Sequence, residues 1–222
     1  MFCAVIVAAG SSRRAGFDKL AADLAGVPVL RRSVAAMVAG GCRTVVVVCP
    51  VERWQACGLA AEEWPVPLIR VDGGAERQDS VAAGLAALPE GTEWVAVHDG
   101  ARPLISPLGV RACLAAAQRT GAAACAHPVV DTLKRVDEHG CTLPEPVSRE
   151  RLWGMETPQI FSLSLLQRAY TAVRERGLTV TDEVSALEAI GVPTTLVQVG
   201  VNMKITMPGD LELATLVWKH GC

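Results

Sequence analysis

The sequence MFCAVIVAAGSSRRAGFDK, residues 1–19, decides the fold that we predict. Its residues 2–7 form an almost unbroken apolar run rich in β-branched side chains, which is typical of a strand buried on both faces of a parallel sheet. Gly10 follows two alanines, so the backbone there can approach a ligand closely. Three cations come next within seven residues: Arg13, Arg14 and Lys19. A buried strand followed by a small-residue loop and clustered positive charge predicts a polyphosphate site.

A flexible loop with solvated charges is the alternative interpretation of residues 10–16. The hydroxyls of Ser11 and Ser12, which add donors beside the cations, favour phosphate. Neither GxxxxGK[ST] nor GxGxxG is present, so the loop is not a Walker loop or a dinucleotide fingerprint. It is similar to the signature of the sugar-nucleotidyltransferase type of fold, in which an N-terminal strand runs into a Gly- and Arg-containing loop that a Lys follows.

Length and composition narrow the protein class. A chain of 222 residues can bury a substantial core as one domain, so we predict a single domain over residues 1–222. The formal net charge of −2 argues against a nucleic-acid partner, which would need a basic face. The first apolar run is too short to span a bilayer and has no positive segment before it. We therefore expect a cytoplasmic protein with no membrane partner.

The cysteines and histidines indicate neither disulfides nor zinc. The eight cysteines include no CxxC pair, and most lie in apolar runs such as VVVVC at 45–49, where a thiol behaves as a small hydrophobe. We predict buried free thiols. The four histidines show no HxxxH spacing, and we predict no structural zinc.

Strand and helix patterns alternate along the chain. We predict helices over 29–39, 50–59, 76–88, 107–120, 163–176, 181–190 and 208–219, and strands over 2–7, 44–49, 68–71, 94–97 and 195–199. Short connections between alternating elements predict an α/β sheet with parallel strands and helices on both faces. Ligands bind such sheets outside the carboxyl ends of the strands. This rule groups three loops, over residues 8–19, 72–80 and 98–102.

The segment 131–151, DTLKRVDEHGCTLPEPVSRER, interrupts this alternation. It is polar, contains two prolines and has a turn signal at His139-Gly140. One interpretation is a surface hairpin, and the other is an arm that reaches a second subunit.

Seven motifs occur in the order found in the 2-C-methyl-D-erythritol 4-phosphate cytidylyltransferases of the non-mevalonate isoprenoid pathway. They are AAGSSRR, DGGAERQDSV, HDGARP, DTLKR, WGMETPQIF, TDEVSALE and NMKIT, and they run from residue 8 to residue 206. The chain therefore resembles this family; the ribitol-5-phosphate cytidylyltransferases share much of the pattern. The resemblance implies a Rossmann-like nucleotidyltransferase fold: a mostly parallel sheet, helices on both faces and a protruding β-arm. It also implies a homodimer.

The resemblance implies roles for individual residues. The cations at the reacting phosphates are Arg14 and Lys19. The nucleotide-binding set is Ala8, Ala9, Gly10, Gly74, Ala75, Ser80, Asp99 and Gly100. The acceptor-binding set is Asp99, Arg102, Thr132, Arg149, Thr157, Thr181 and Lys204, with the residues at 132 and 149 presented by the interlocking arm of the partner. Asp99 is also the implied ligand of Mg²⁺, which is otherwise held by the CTP phosphates alone.

Two departures from the family pattern occur. This chain has Asp18-Lys19-Leu20 where Pro-Lys-Gln is usual, and it has Gly100 where the pattern has Ala. The first change affects the pose of the lysine, and the second affects local stiffness more than chemistry.

The implied reaction joins CTP and a polyol phosphate. An oxygen of the acceptor's phosphate attacks the α-phosphorus of CTP in line, and pyrophosphate leaves. Because a phosphate monoester is already anionic, no general base is required, and the rate depends on positioning and on cations. One alternative is a ribitol-5-phosphate cytidylyltransferase, which differs only around the acceptor. The other is a non-catalytic nucleotide-binding protein, which the presence of Arg14, Lys19, Asp99 and Lys204 disfavours.

Overall fold

The computed structural model of the chain describes residues 1–10, 17–60 and 64–221. The strands are β1 (Phe2–Val7), β2 (Asp23–Leu24), β3 (Val27–Pro28), β4 (Val45–Val48), β5 (Leu68–Val71), β6 (Trp94–Asp99), β7 (Ala122–Pro128), β8 (Lys134–Val136), β9 (Thr142–Pro146), β10 (Trp153–Ser162) and β11 (Thr195–Val197). The helices are α1 (Val29–Ala39), α2 (Val51–Ala56), α3 (Arg77–Ala86), α4 (Pro107–Thr120), α5 (Leu163–Glu175), α6 (Glu183–Glu188) and α7 (Pro208–His220).

Seven strands form one sheet in the order β11-β7-β10-β6-β1-β4-β5. Strand β1 lies between β4 and β6 and is parallel to both. Strand β5 is parallel to β4, and β11 is parallel to β7. Only β10 runs antiparallel to its neighbours β6 and β7 among the strands that the structure assigns to this sheet. The predicted mostly parallel sheet is confirmed.

Helices cover both faces of this sheet. Val45 and Val47 belong to a buried cluster that includes residues of α1, α4 and α7 on one face, and Val46 and Val48 belong to a second cluster that includes residues of α3, α5 and α6 on the other. Successive side chains of a strand point to opposite faces of the sheet. Because helices cover both faces, all four side chains are fully buried. Each such burial contributes about 1.5 to 3 kcal/mol of transfer free energy, which explains the continuous valine run.

Several predicted boundaries change. Strand β6 includes His98 and Asp99, which we predicted as loop, because they pair with the end of β1. The helices predicted over 50–59 and 181–190 are shorter, at Val51–Ala56 and Glu183–Glu188, and the strand predicted over 195–199 ends at Val197. Strands β7 and β10 and the short pair of β2 and β3 were not predicted.

The segment 131–151 contains a hairpin of β8 and β9, and its turn includes Gly140 at a φ of +81°. It follows the end of β7 and precedes β10, and the N–H of Val129 donates to the carbonyl of Leu152 at 2.9 Å just beyond the paired residues of these two strands. Nearly all of its residues are exposed. The predicted hairpin is confirmed, and its docking on a second subunit stays a prediction.

Six of the seven cysteines in the described part of the chain are buried free thiols, and Cys141 is exposed on the hairpin. Burial raises the pKa of the Cys49 and Cys57 thiols to about 11 in each case, so both are protonated at neutral pH. Within the described ranges, no helix reaches the length and hydropathy that crossing a bilayer requires.

Candidate active site

The three predicted loops meet at the carboxyl edge of the parallel strands. The N–H of Gly100 donates to the carbonyl of Val7 at 3.0 Å, which joins the third loop to the start of the first. A Cβ added at Gly73 would lie 2.4 Å from the Cβ of Ala9, and one added at Gly100 would lie 3.2 Å from the Cβ of Ala8. Glycine therefore permits the close approach of the loops at both positions. The grouping of the three loops is confirmed for the described part of the first loop, and residues 11–16 of that loop lie outside the described residues.

Asp99 lies at the centre of this edge, among three cations. Its Oδ2 accepts a hydrogen bond from Lys204 Nζ at 2.7 Å, and Arg102 Nε is 3.8 Å from the same oxygen. Arg77 lies 3.7 Å from Oδ1. Burial alone would raise the pKa of Asp99, but Lys204, Arg77 and Arg102 together lower it below its ordinary value. Asp99 is therefore an ionised carboxylate with the cations on several sides.

Strand β10 supports Asp99 from the neighbouring position in the sheet. The N–H of Asp99 donates to Thr157 Oγ1 at 3.0 Å, and that oxygen lies 3.1 Å from His98 Nδ1. His98 Nε2 lies 3.2 Å from the carbonyl oxygen of Arg102, which can only accept, so we assign the imidazole proton to Nε2. The Thr157 hydroxyl then donates to Nδ1. Burial lowers the pKa of His98 to about 4, so the ring is neutral at pH 7.

A half-buried arginine, Arg77, and a fully buried glutamate, Glu183, form an ion pair beside Asp99 that we did not predict from the sequence. The guanidinium of Arg77 donates to both carboxylate oxygens of Glu183, at 2.6 and 3.0 Å, and Glu183 is fully buried. Burial acts to lower the pKa of Arg77, but Glu183 and Asp99 raise it above its ordinary value. Both residues lie in the motifs quoted above. The sequence feature that could have indicated a role for Arg77 is its position directly after a Gly-rich loop.

Arg53 of α2 is a second missed residue, and it joins the two sides of the first loop. Its guanidinium donates to the carbonyl oxygens of Ala8 and of Gly10, and its Nε donates to Asp18 Oδ2 at 2.9 Å. The other oxygen of Asp18 accepts from the N–H of Leu20 at 3.1 Å. The unusual aspartate before the lysine at 19 therefore has a structural partner, and the backbone on both sides of that lysine is fixed.

Of the two predicted catalytic cations, the structure describes only Lys19. Arg14 lies outside the described residues. Lys19 lies in the turn after Asp18 and is close enough to Asp210 to help lower the pKa of that carboxyl, after the larger effect of the N–H groups of Met207 and Thr206. Its catalytic role stays a prediction.

The second loop is shaped by a buried hydroxyl. Ser80 Oγ accepts from the N–H of Gly74 at 3.1 Å and donates to the carbonyl of Glu76 at 3.3 Å. Ala75 lies between Gly74 and Glu76 and is exposed, as is Gly10 of the first loop. The buried serine therefore holds the shape of a loop whose residues Gly74 and Ala75 are exposed.

Three predicted acceptor-binding residues are exposed, and the structure does not join them to Asp99 within the described ranges. Thr132 and Arg149 are exposed at the root of the hairpin, where Arg149 donates to the carbonyl oxygen of Val130 in its own chain. Thr181 is exposed just before Asp182, whose carboxylate caps α6. In the described ranges, no hydrogen bond or ion pair joins these three residues to Asp99.

The donor set for a metal ion is small. The described residues contain no group of three or more His, Cys, Asp or Glu side chains that could hold a metal ion together. Asp99 Oδ2 binds Lys204, whereas Oδ1 has its cationic neighbour Arg77 at 3.7 Å, beyond hydrogen-bond distance. One carboxylate oxygen suits Mg²⁺ when substrate phosphates supply further ligands.

Comparison with known proteins gives one consistent family. The model for 2-C-methyl-D-erythritol 4-phosphate cytidylyltransferase (IspD) matches residues 2–220. A protein of that name from Desulforamulus reducens is 39% identical over 98% of this chain and 95% of its own length. Another from Prochlorococcus marinus is 38% identical over 96% of both chains. The crystal structure of the Thermus thermophilus protein of that name is 34% identical, covers 97% of this chain and 98% of its own, and has a TM-score of 0.79.

Proposed function

The chain belongs to the family of 2-C-methyl-D-erythritol 4-phosphate cytidylyltransferases, and we propose that it transfers CMP from CTP to 2-C-methyl-D-erythritol 4-phosphate. The products are 4-diphosphocytidyl-2-C-methyl-D-erythritol and pyrophosphate. The observation that supports this most directly is the placement of Asp99, Arg77, Arg102 and Lys204 together at the carboxyl edge of the sheet. This edge is where nucleotides bind in such folds.

The main chemical difficulty is charge repulsion. The acceptor's phosphate and the triphosphate are both anionic, and the leaving pyrophosphate is anionic as well. An oxygen of the acceptor's phosphate attacks the α-phosphorus without a general base, so fixed positive charge and alignment provide the rate enhancement. The side chain of Lys204 is 43% exposed while its Nζ binds Asp99, so it is both accessible to a phosphate and held in position.

The first loop supplies the remaining cations in this proposal. We assign Arg14 and Lys19 to the reacting phosphates, and Arg53 fixes the backbone of Ala8 and Gly10 against which the nucleotide would lie. Removing one preorganised cation of this kind raises the barrier by about 3 to 4 kcal/mol, which is a rate loss of about a hundred- to a thousandfold.

Magnesium is part of the proposal. Oδ1 of Asp99 and the phosphates of CTP would hold it, and when bound it neutralises phosphate charge and favours departure of pyrophosphate. The protein's own contribution is to keep Asp99 ionised, which its three cationic neighbours do.

We also propose a homodimer completed by the hairpin arm. The exposed strands β8 and β9 have no core of their own, and an isolated hairpin is marginal in water, which favours docking on a partner. Thr132 and Arg149 would then serve the partner's acceptor site. Mixing Lys19→Ala subunits with Arg149→Ala subunits tests this, because a residue acting in trans gives mixed dimers one intact site. We expect activity to reappear; no recovery despite demonstrated subunit exchange would contradict the arm's role.

A cytoplasmic location completes the proposal. Its support is the set of six buried cysteine thiols, which suits a reducing compartment.

The test of the function is a pyrophosphate-release assay. It crosses CTP, ATP, GTP and UTP with 2-C-methyl-D-erythritol 4-phosphate and ribitol 5-phosphate, with Mg²⁺ present and omitted. We expect turnover with CTP and the methylerythritol phosphate, dependent on Mg²⁺. Preference for ribitol 5-phosphate, or no turnover with any pair, would contradict the proposal.

A further inference from the structure

Glu183 is a fully buried carboxylate whose position is fixed from several sides. It accepts two hydrogen bonds from Arg77 and one from the hydroxyl of Tyr170, at 3.0 Å. Its own N–H donates to Gln159 Oε1 at 3.1 Å, which joins the start of α6 to β10. A buried charge is retained only with such partners, because losing one leaves the other uncompensated. Glu183 is thus a rigid anchor.

Arg77 lies between this anchor and the candidate active site. One of its terminal nitrogens donates to Glu183 Oε2 at 3.0 Å and lies 3.7 Å from Asp99 Oδ1. The first distance is a hydrogen bond and the second is not. Two carboxylates therefore compete for one guanidinium, and the bidentate pairing with the buried one wins.

We infer that Glu183 is a positioning residue that holds Arg77 near Asp99 while preventing a direct bond between them. The inference rests on the proposed function, in which Asp99 Oδ1 faces substrate phosphate and its cation. Without the charge of Glu183, Arg77 gains a free nitrogen 3.7 Å from the nearest other carboxylate oxygen and closes that gap. The resulting ion pair occupies Oδ1 and rearranges the contact of Asp99 with Lys204.

This role differs from general support of the fold. If Glu183 acts on catalysis only through Arg77, its charge matters only while Arg77 is present. If it merely stabilises the packing of α6 on the sheet through the same ion pair, removing its charge lowers the free energy of unfolding and leaves the kcat/KM of the folded protein unchanged.

A double-mutant cycle separates these roles. We expect Glu183→Gln, which keeps the side chain's size, to lower kcat/KM by about a hundredfold, the usual effect of misplacing a catalytic group by an ångström. In the Arg77→Met background we expect the same substitution to change kcat/KM less than about twofold. Glu188→Gln, on the exposed side of the same helix, is the matched control and is expected to leave activity unchanged. Equal losses in both backgrounds, or an unchanged kcat/KM of the folded Glu183→Gln protein, would overturn the inference.

A crystal structure of Glu183→Gln gives a readout that does not need activity. We expect Arg77 within hydrogen-bond distance of Asp99 Oδ1, at about 2.7 to 3.2 Å. An unchanged separation would overturn the inference even if the variant were inactive. Failure of the proposed function is distinguishable, because the wild-type protein would then release no pyrophosphate while the structural shift could still be observed.

Discussion

Replacing Arg53 with Met removes the guanidinium that joins the two sides of the first loop while keeping an apolar stem of similar length. The residue is only 9% exposed, and it donates to the carbonyls of Ala8 and Gly10 and pairs with Asp18. Each hydrogen bond from a charged group contributes about 1.5 to 3 kcal/mol. The pair with Asp18, which is 40% exposed, adds only about 0.5 to 1 kcal/mol. These contributions add to about 3.5 to 7 kcal/mol, but one nitrogen serves both carbonyls, so we expect the free energy of unfolding to fall by about 3 to 5 kcal/mol.

Urea and thermal unfolding measure this loss. For a chain of this size, 1 kcal/mol shifts Tm by about 2 to 4 °C, so Tm should fall by about 6 to 20 °C. We also expect kcat to fall about a hundredfold at temperatures where the variant is folded, because the backbone at the nucleotide loop moves.

Two variants serve as controls. Arg43→Met changes an exposed arginine and should leave stability within about 0.5 kcal/mol of wild type. Asp18→Asn keeps the acceptor for the N–H of Leu20 and loses only the charge, so we expect a loss of about 0.5 to 1 kcal/mol. If Arg53→Met unfolds within about 0.5 kcal/mol of wild type and keeps its kcat, Arg53 does not join the two sides of the loop.

Three further predictions concern catalysis, base recognition and pH. Lys19→Ala and Arg14→Ala should each lower kcat far more than they weaken CTP binding, since cations aimed at developing charge act on the transition state; near wild-type kcat with only a raised KM would refute the catalytic assignment. The ratio of kcat/KM for CTP to that for UTP should be large, because the wrong base leaves buried polar groups unpaired, and a ratio near one would show that the loops do not read the base. The pKa of His98 is lowered from 6.5 to about 4, so its stabilising contribution is complete above pH 6.5 and is lost as pH falls toward 4. Urea unfolding at a series of pH values should show the free energy of unfolding fall by up to about 3 kcal/mol over this range. His98→Gln should remove that part of the pH dependence, and an unchanged pH dependence in this variant would contradict a buried neutral His98.

Regular elements with strong local signals were predicted well. Helix α4 begins at Pro107 after the capping hydroxyl of Ser106 and ends at Thr120, followed by a capping Gly121 whose φ is +88°, so both ends are encoded locally. Strand β10 was missed because Glu156 and Gln159 interrupt its apolar pattern. Both side chains bond polar partners inside the protein: Glu156 binds His127 and Asn202, and Gln159 binds the start of α6. Period-2 hydrophobicity does not reveal a strand whose inward residues are polar.

The candidate site was predicted in part. The rule for parallel sheets grouped the loops, and the family motifs named Asp99 and Lys204, which the fold brings within 2.7 Å across 105 positions of sequence. Arg53, Arg77 and Glu183 were missed because a charged residue near the start of a helix normally faces water. Their burial comes from the packing of α2, α3 and α6 against the sheet edge, and local sequence carries no record of that packing.

The most direct test of the proposed reaction follows an oxygen atom. The acceptor, 2-C-methyl-D-erythritol 4-phosphate labelled with ¹⁸O at its non-bridging phosphate oxygens, is incubated with CTP and the enzyme, and the products are observed by ³¹P NMR. Because an acceptor oxygen attacks the α-phosphorus of CTP, we expect ¹⁸O in the bridge of the diphosphate product, shifting the resonance of the cytidyl phosphorus, and none in pyrophosphate. Label in pyrophosphate, or a bridge oxygen derived from CTP, would contradict transfer of CMP to the acceptor's phosphate.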